Sequence, residues 1–145
     1  MNEFISQFLI ESRELVEQAT EGLLILEQSP HDAEKLDSVF RAFHTLKGGA
    51  GIVEFTAMER AVHAAEEILS GARAGKRELT TALVGDCLAT LDQVVQWLDM
   101  VEQTGEFPSR VAETKADESW LAYREFVPGA SYGTGRWQLC AVPLR

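Results

Sequence analysis

Residues 40–55 read FRAFHTLKGGAGIVEF, and two signals in them conflict. Phe40, Phe43, Leu46, Ala50 and Val53 recur at three- and four-residue steps, the apolar period of a helix. Gly48, Gly49 and Gly51 sit inside the same run. Each glycine costs a helix interior roughly 1 kcal/mol relative to alanine, and a typical domain has a net stability of only about 5–15 kcal/mol. Glycines kept at that cost point to a need for bare backbone. Counted from His44, the residues on its own helix face are Lys47 at i+3, Gly48 at i+4 and Gly51 at i+7. The imidazole therefore stands beside an ammonium and two residues without side chains, which lets another macromolecule bring its backbone close to the ring. Gly49 points elsewhere, toward helix packing.

A lone histidine on a helix flank is ordinarily just a solvated one. Here Lys47 and the glycines one and two turns on argue for more. A Gly-rich run can cradle phosphate at a helix N-terminus, but this run lies mid-helix, where the N–H groups are already used. Neither GxxxxGK[ST] nor GxGxxG occurs, so the chain carries no nucleotide-binding loop.

Outward from this helix, residues 2–28 carry Ile5, Phe8, Leu9, Leu15, Val16, Ala19, Leu23 and Leu26 as one apolar stripe. Ser29, Pro30 and His31 break it, and Asp32 predicts an N-cap for the helix that continues to about Val53. Thr56 and Glu59 have the spacing of a capping box, which predicts the start of a third helix fraying by residues 71–75. Thr80 predicts the cap of a fourth, ended by Gly105 and Pro108. All four prolines fall outside these segments. The spacing predicts an all-α, antiparallel up-down-up-down four-helix bundle.

Residues 111–126 predict a short fifth helix with Trp120, Leu121, Tyr123 and Phe126 on its apolar side. A loop follows, and residues 136–145 alternate like a strand, which cannot stand alone. The expected division is a domain over 1–126, then a linker and the truncated start of a following domain over 127–145.

The chain has 145 residues, 46% hydrophobic and 25% charged, with a formal net charge of −10. An acidic chain without a basic stripe argues against nucleic acid or an anionic membrane as the main partner. No apolar run approaches a membrane span, and the N-terminus lacks the pattern of a signal peptide. Cys87 and Cys140 form no CxxC pair and no disulfide framework. A cytoplasmic protein is expected.

A second constellation lies in the third helix, where His63, Glu66 and Glu67 are at i, i+3 and i+4. With a turn near residues 54–56, His44 and Glu66 each lie about ten to twelve residues from it, at a similar level in the antiparallel pair. Glu66 is then placed to accept a hydrogen bond from Nδ1–H of His44, which would fix the tautomer and leave Nε2 as the exposed nucleophile.

FRAFHTLKGGAGIVEF at 40–55 with HAAE at 63–66 resembles the histidine phosphotransfer (HPt) domain of the chemotaxis histidine kinase CheA family. The family's HxxKGG-type motif is matched by His44, Lys47, Gly48, Gly49, Ala50 and Gly51, with Thr45 where serine is common. Its histidine and glutamate partners are matched by His63 and Glu66, and the likeness runs from about residue 2 to about residue 126. The resemblance implies a five-helix domain in which His44 takes the γ-phosphoryl group of ATP from the kinase's catalytic domain. His44 then passes it to an aspartate of a response regulator of the CheY or CheB kind. Lys47 would place positive charge near the phosphoryl oxygens, Glu66 would orient the ring and His63 would extend the polar network. Imidazole suits such a task, since its reference pKa of roughly 6.5 leaves a neutral nucleophile near neutral pH.

The resemblance further implies that no cofactor is bound by this chain, ATP and Mg²⁺ being supplied through the kinase domain and the regulator. The chain would be a phosphoryl carrier, part of an enzyme, and monomeric as a fragment. Exposed apolar residues flanking His44, Phe40 among them, would dock the regulator, with Gly48 and Gly51 as clearance. Three other readings remain. A stand-alone phosphorelay protein would share this chemistry but leave residues 136–145 unexplained. A metal-binding bundle would use His44, His63, Glu66 and Glu67, although di-iron bundles need ExxH motifs that the chain lacks. A scaffold that had lost phosphotransfer would not be expected to keep His44, Lys47 and Glu66.

Overall fold

The computed structural model describes residues 2–107. They form four α-helices: α1 (Glu3–Gln28), α2 (Ala33–Ile52), α3 (Thr56–Arg73) and α4 (Thr81–Thr104). Helix α1 packs against α2 and α4, and α3 packs against α2 and α4, which closes the up-down-up-down ring. The predicted bundle is thus observed. The fifth helix, the 126/127 boundary and the strand-like residues 136–145 lie outside the described residues.

Local chemistry starts three of the helices. Asn2 Oδ1 accepts from Ile5 N at 2.8 Å, Asp32 Oδ1 from Lys35 N at 3.1 Å, and Thr80 Oγ1 from Leu83 N at 3.1 Å. Each side chain satisfies one of the N–H groups that a helix start leaves without a partner.

The start of α3 departs from expectation, because the Thr56–Glu59 capping box does not form. Thr56 is already inside the helix, and Phe55 holds the cap position without a side-chain hydrogen bond. The three-residue connection places Phe55 at the cap, and its side chain has no oxygen to accept from the helix N–H groups. Phe55 N bonds Ala50 O at 2.9 Å and Glu54 N bonds Gly51 O at 3.1 Å, the paired bonds of a Schellman motif that ends α2. The motif drops the Phe55 ring into the core at 1% exposure, so core burial takes the place of a cap. Its left-handed position is held by Glu54 at φ 60°, whereas the matching position after α3 is Gly75 at φ 74°, with no Cβ to clash.

The core is filled by Leu23 and Leu26 of α1, Phe43 and Leu46 of α2, Met58, Ile68 and Leu69 of α3, and Leu91 and Leu98 of α4. Burial of each such side chain contributes about 1.5–3 kcal/mol. Helices α1 and α2 approach closely at Gly22, where a Cβ would stand 2.3 Å from Cγ2 of Val39. Cys87 is buried in α4, and burial pushes its thiol up to about 12, so it remains a protonated core residue.

Candidate functional site

Helices α2 and α3 run antiparallel from the tight turn at residues 53–55, which sets His44 and Glu66 level with each other. The Nδ1 atom of His44 hydrogen-bonds Oε2 of Glu66. The other carboxylate oxygen, Oε1, pairs with Nζ of Lys47 at 2.7 Å. One carboxylate therefore gathers both His44 and Lys47 of the α2 face. The Glu66 side chain is 7% exposed, that of His44 63% and that of Lys47 26%. A buried anion is thus covered by an imidazole that reaches into solvent.

Burial pushes the carboxyl of Glu66 up, but its hydrogen bonds to Lys47 and His44, with the charge behind them, hold it below the usual carboxylate range. An ionised carboxylate has only acceptor capacity, so His44 must supply the proton on Nδ1. The neutral ring then carries its lone pair on Nε2, which has no hydrogen-bond partner among the described residues. The arrangement is that of a nucleophile with its tautomer fixed from behind.

The three glycines of the motif face three ways. Nothing stands within 4 Å of where a Cβ on Gly48 would sit, so this residue is open beside His44. Gly49 faces Phe8 of α1 at 3.8 Å, as the packing expectation had it. Gly51 is less open than Gly48. A Cβ there would stand 3.2 Å from Oε2 of Glu59, the end of an exposed, flexible side chain on α3.

The Hpt domain family model matches residues 3–105. The chain belongs to this family. Among relatives, the chemotaxis protein CheA of Treponema pallidum is 35% identical over 132 residues, covering 90% of this chain and 16% of that protein. CheA of Salmonella typhimurium is 35% identical over 106 residues, or 73% of this chain and again 16% of the relative. The chain therefore spans about a sixth of these relatives' length. Among solved structures, the CheA phosphotransferase domain from Thermotoga maritima matches with a TM-score of 0.67 and 32% identity, covering 70% of this chain and 98% of that one. The solution structure of the histidine phosphotransfer domain of CheA matches at 0.69 and 34%, covering 73% and 80%.

In this Hpt domain His63 sits apart from the expected network. Its Nε2 pairs with Oε2 of Glu67, one turn along the same helix, at 3.3 Å, and both side chains are more than half exposed. Among the described residues no three of His, Cys, Asp or Glu are grouped to hold a metal ion, which leaves the metal-binding reading without a ligand set. None of these helices is long and apolar enough to cross a membrane.

Phe40 also differs from expectation. It is half-buried against the core rather than exposed, and its ring stacks on His44 with centroids 6.1 Å apart and planes at 19°. The guanidinium of Arg73 lies 4.0 Å from the Phe40 ring centroid and is itself bound to Asp37 Oδ1 at 3.0 Å. Sequence reading missed Arg73 and Asp37. The signal was present as spacing: Asp37 precedes His44 by seven residues and Arg73 follows Glu66 by seven, which is two turns in the same antiparallel register.

Proposed function

We propose that this Hpt domain is the phosphoacceptor of a CheA-type histidine kinase, with Nε2 of His44 as the reacting atom. The lone pair on Nε2 attacks the γ-phosphorus of ATP held by the kinase's catalytic domain; the N–P bond forms, the bond to the bridging oxygen breaks and ADP leaves. An aspartate oxygen of a response regulator of the CheY or CheB kind then attacks the same phosphorus, and the electron pair of the broken N–P bond returns to Nε2. Both transfers leave Nδ1–H on Glu66, whose negative charge offsets the positive charge that phosphorylation places on the ring. Lys47, anchored on the other oxygen of that carboxylate, supplies positive charge beside the incoming phosphoryl oxygens. Mg²⁺ belongs to the kinase and regulator active sites, and the setting is the cytoplasm.

The observation that carries this reading is the division of labour around one ring. Glu66 takes Nδ1 and the buried side, while Nε2 is left to solvent next to the open face of Gly48. Membership of the Hpt family and the likeness to CheA proteins support it over a metal-binding bundle or a bare scaffold.

The test is to incubate the chain and its His44→Gln variant with labelled ATP and a CheA-type catalytic core. Label on the wild type alone, lost in acid and kept in base, is the expected result. Equal labelling of both chains, or none on a folded wild type with several competent cores, contradicts the assignment.

A further inference from the structure

A hydrogen bond to Nδ1 sets the tautomer of His44 but tolerates a range of ring tilts, because its angular preference is broad. Something else must set the plane if Nε2 is to point one way. The Phe40 ring, one turn earlier on α2, lies nearly parallel to the imidazole at 19°. Phe40 is in turn covered by Arg73 from the last turn of α3, at 4.0 Å from the ring centroid. A flat guanidinium on an aromatic face is a directional contact, attracted by the ring quadrupole. Arg73 is not free to wander, because Asp37 Oδ1 holds its Nη1 at 3.0 Å. The second oxygen of Asp37 faces Arg41 at 3.4 Å. Two turns from the His44–Glu66 pair, the same two helices are thus tied by an ion pair that also covers the His44 platform.

We infer that Arg73 is a positioning residue for His44: anchored by Asp37, it fixes the Phe40 ring against which the imidazole lies, and so aims Nε2. The inference rests on the proposed phosphoacceptor role and names a residue outside the phosphoacceptor motif. Arg73 touches neither His44 nor the phosphoryl group in this scheme. It acts through Phe40, so its loss should affect the chemical step rather than docking.

The test uses this chain as Arg73→Met, Arg73→Lys, Phe40→Leu and the Phe40→Leu/Arg73→Met pair. Two quantities are read: the ring nitrogen and carbon-bound proton signals of His44 by NMR, and kcat and KM for labelling by a CheA-type catalytic core. Arg73→Met is expected to leave helicity intact, broaden or average the His44 ring signals, and lower kcat roughly three- to tenfold with KM unchanged. Arg73→Lys should recover part of the loss, and Arg73→Met should add little in the Phe40→Leu background. Unchanged ring signals overturn the inference. So does a loss confined to KM, which would make Arg73 a docking cation, or a loss of equal size without Phe40. Should Arg73→Met fail to fold, Asp37→Asn, which only loosens the anchor, is read in its place. The ring signals need no phosphoryl donor. A wild type that takes no label therefore overturns the proposed function while the NMR comparison still decides this point.

Discussion

Gly48 follows His44 by one helical turn, and no atom stands within 4 Å of the place its Cβ would occupy. The glycine is therefore not required by packing in the free domain. Gly48→Ala should stabilise the fold by about 1 kcal/mol, the ordinary gain of helix propensity. If the open face is clearance for a partner, Gly48→Leu should fold equally well and yet slow phosphoryl transfer. Paired denaturation and transfer measurements check this; a bulky residue at 48 without effect on transfer would remove the clearance role.

Gly22 shows the opposite case. A Cβ there would stand 2.3 Å from Cγ2 of Val39, so the glycine permits the close approach of α1 and α2. Gly22→Ala should destabilise by about 1–3 kcal/mol as the side chains and helices shift apart, outweighing the propensity gain. A urea titration reads the difference directly. Gly22→Ala with Val39→Ala should recover part of the loss, since the clash is with that side chain.

Glu66 links stability to pH. Burial pushes its carboxyl up, but the hydrogen bonds and charge of Lys47 and His44 hold it below the usual carboxylate range in the folded chain. The stabilisation is therefore fully present above the unfolded value and is lost as pH falls through the lower folded value. Glu66→Gln should flatten the acid limb of a stability–pH curve below the ordinary carboxylate range, where the wild type loses this contribution. It should also slow phosphoryl transfer by about 10- to 100-fold, the range found when the carboxylate behind a metal-bound histidine is removed. An unchanged acid limb would show that the carboxylate is not coupled to folding.

The bundle was legible because its apolar stripes keep helical period over helices of 18 to 26 residues, and Asp32, Thr80 and Gly105 end or start helices where local chemistry says they should. The His44–Glu66 contact was legible for a related reason: a tight turn and equal rise fix the level of two antiparallel helices. The capping box at Thr56 was misleading, because burial of Phe55 outweighed a surface hydrogen bond and pulled the chain into a shorter turn. Spacing could put His63 near Glu66 but could not rank its neighbours, and Glu67 on the same helix is the one it meets. The different faces of Gly48, Gly49 and Gly51 depend on which helix lies over each, and a single periodicity does not carry that. Arg73 escaped notice because it is thirty-three residues from Phe40 in the chain and belongs to no motif.

The central claim is that Nε2 of His44 carries the phosphoryl group while Nδ1 stays bound to Glu66. It is tested most directly by phosphorylating the chain with ring nitrogen-15 histidine and recording phosphorus–nitrogen coupling by NMR. The account predicts one phosphohistidine, at residue 44, coupled through Nε2, with Nδ1 still protonated. Coupling through Nδ1, or a phosphoryl group on His63 or His31 with His44 unmodified, would contradict it.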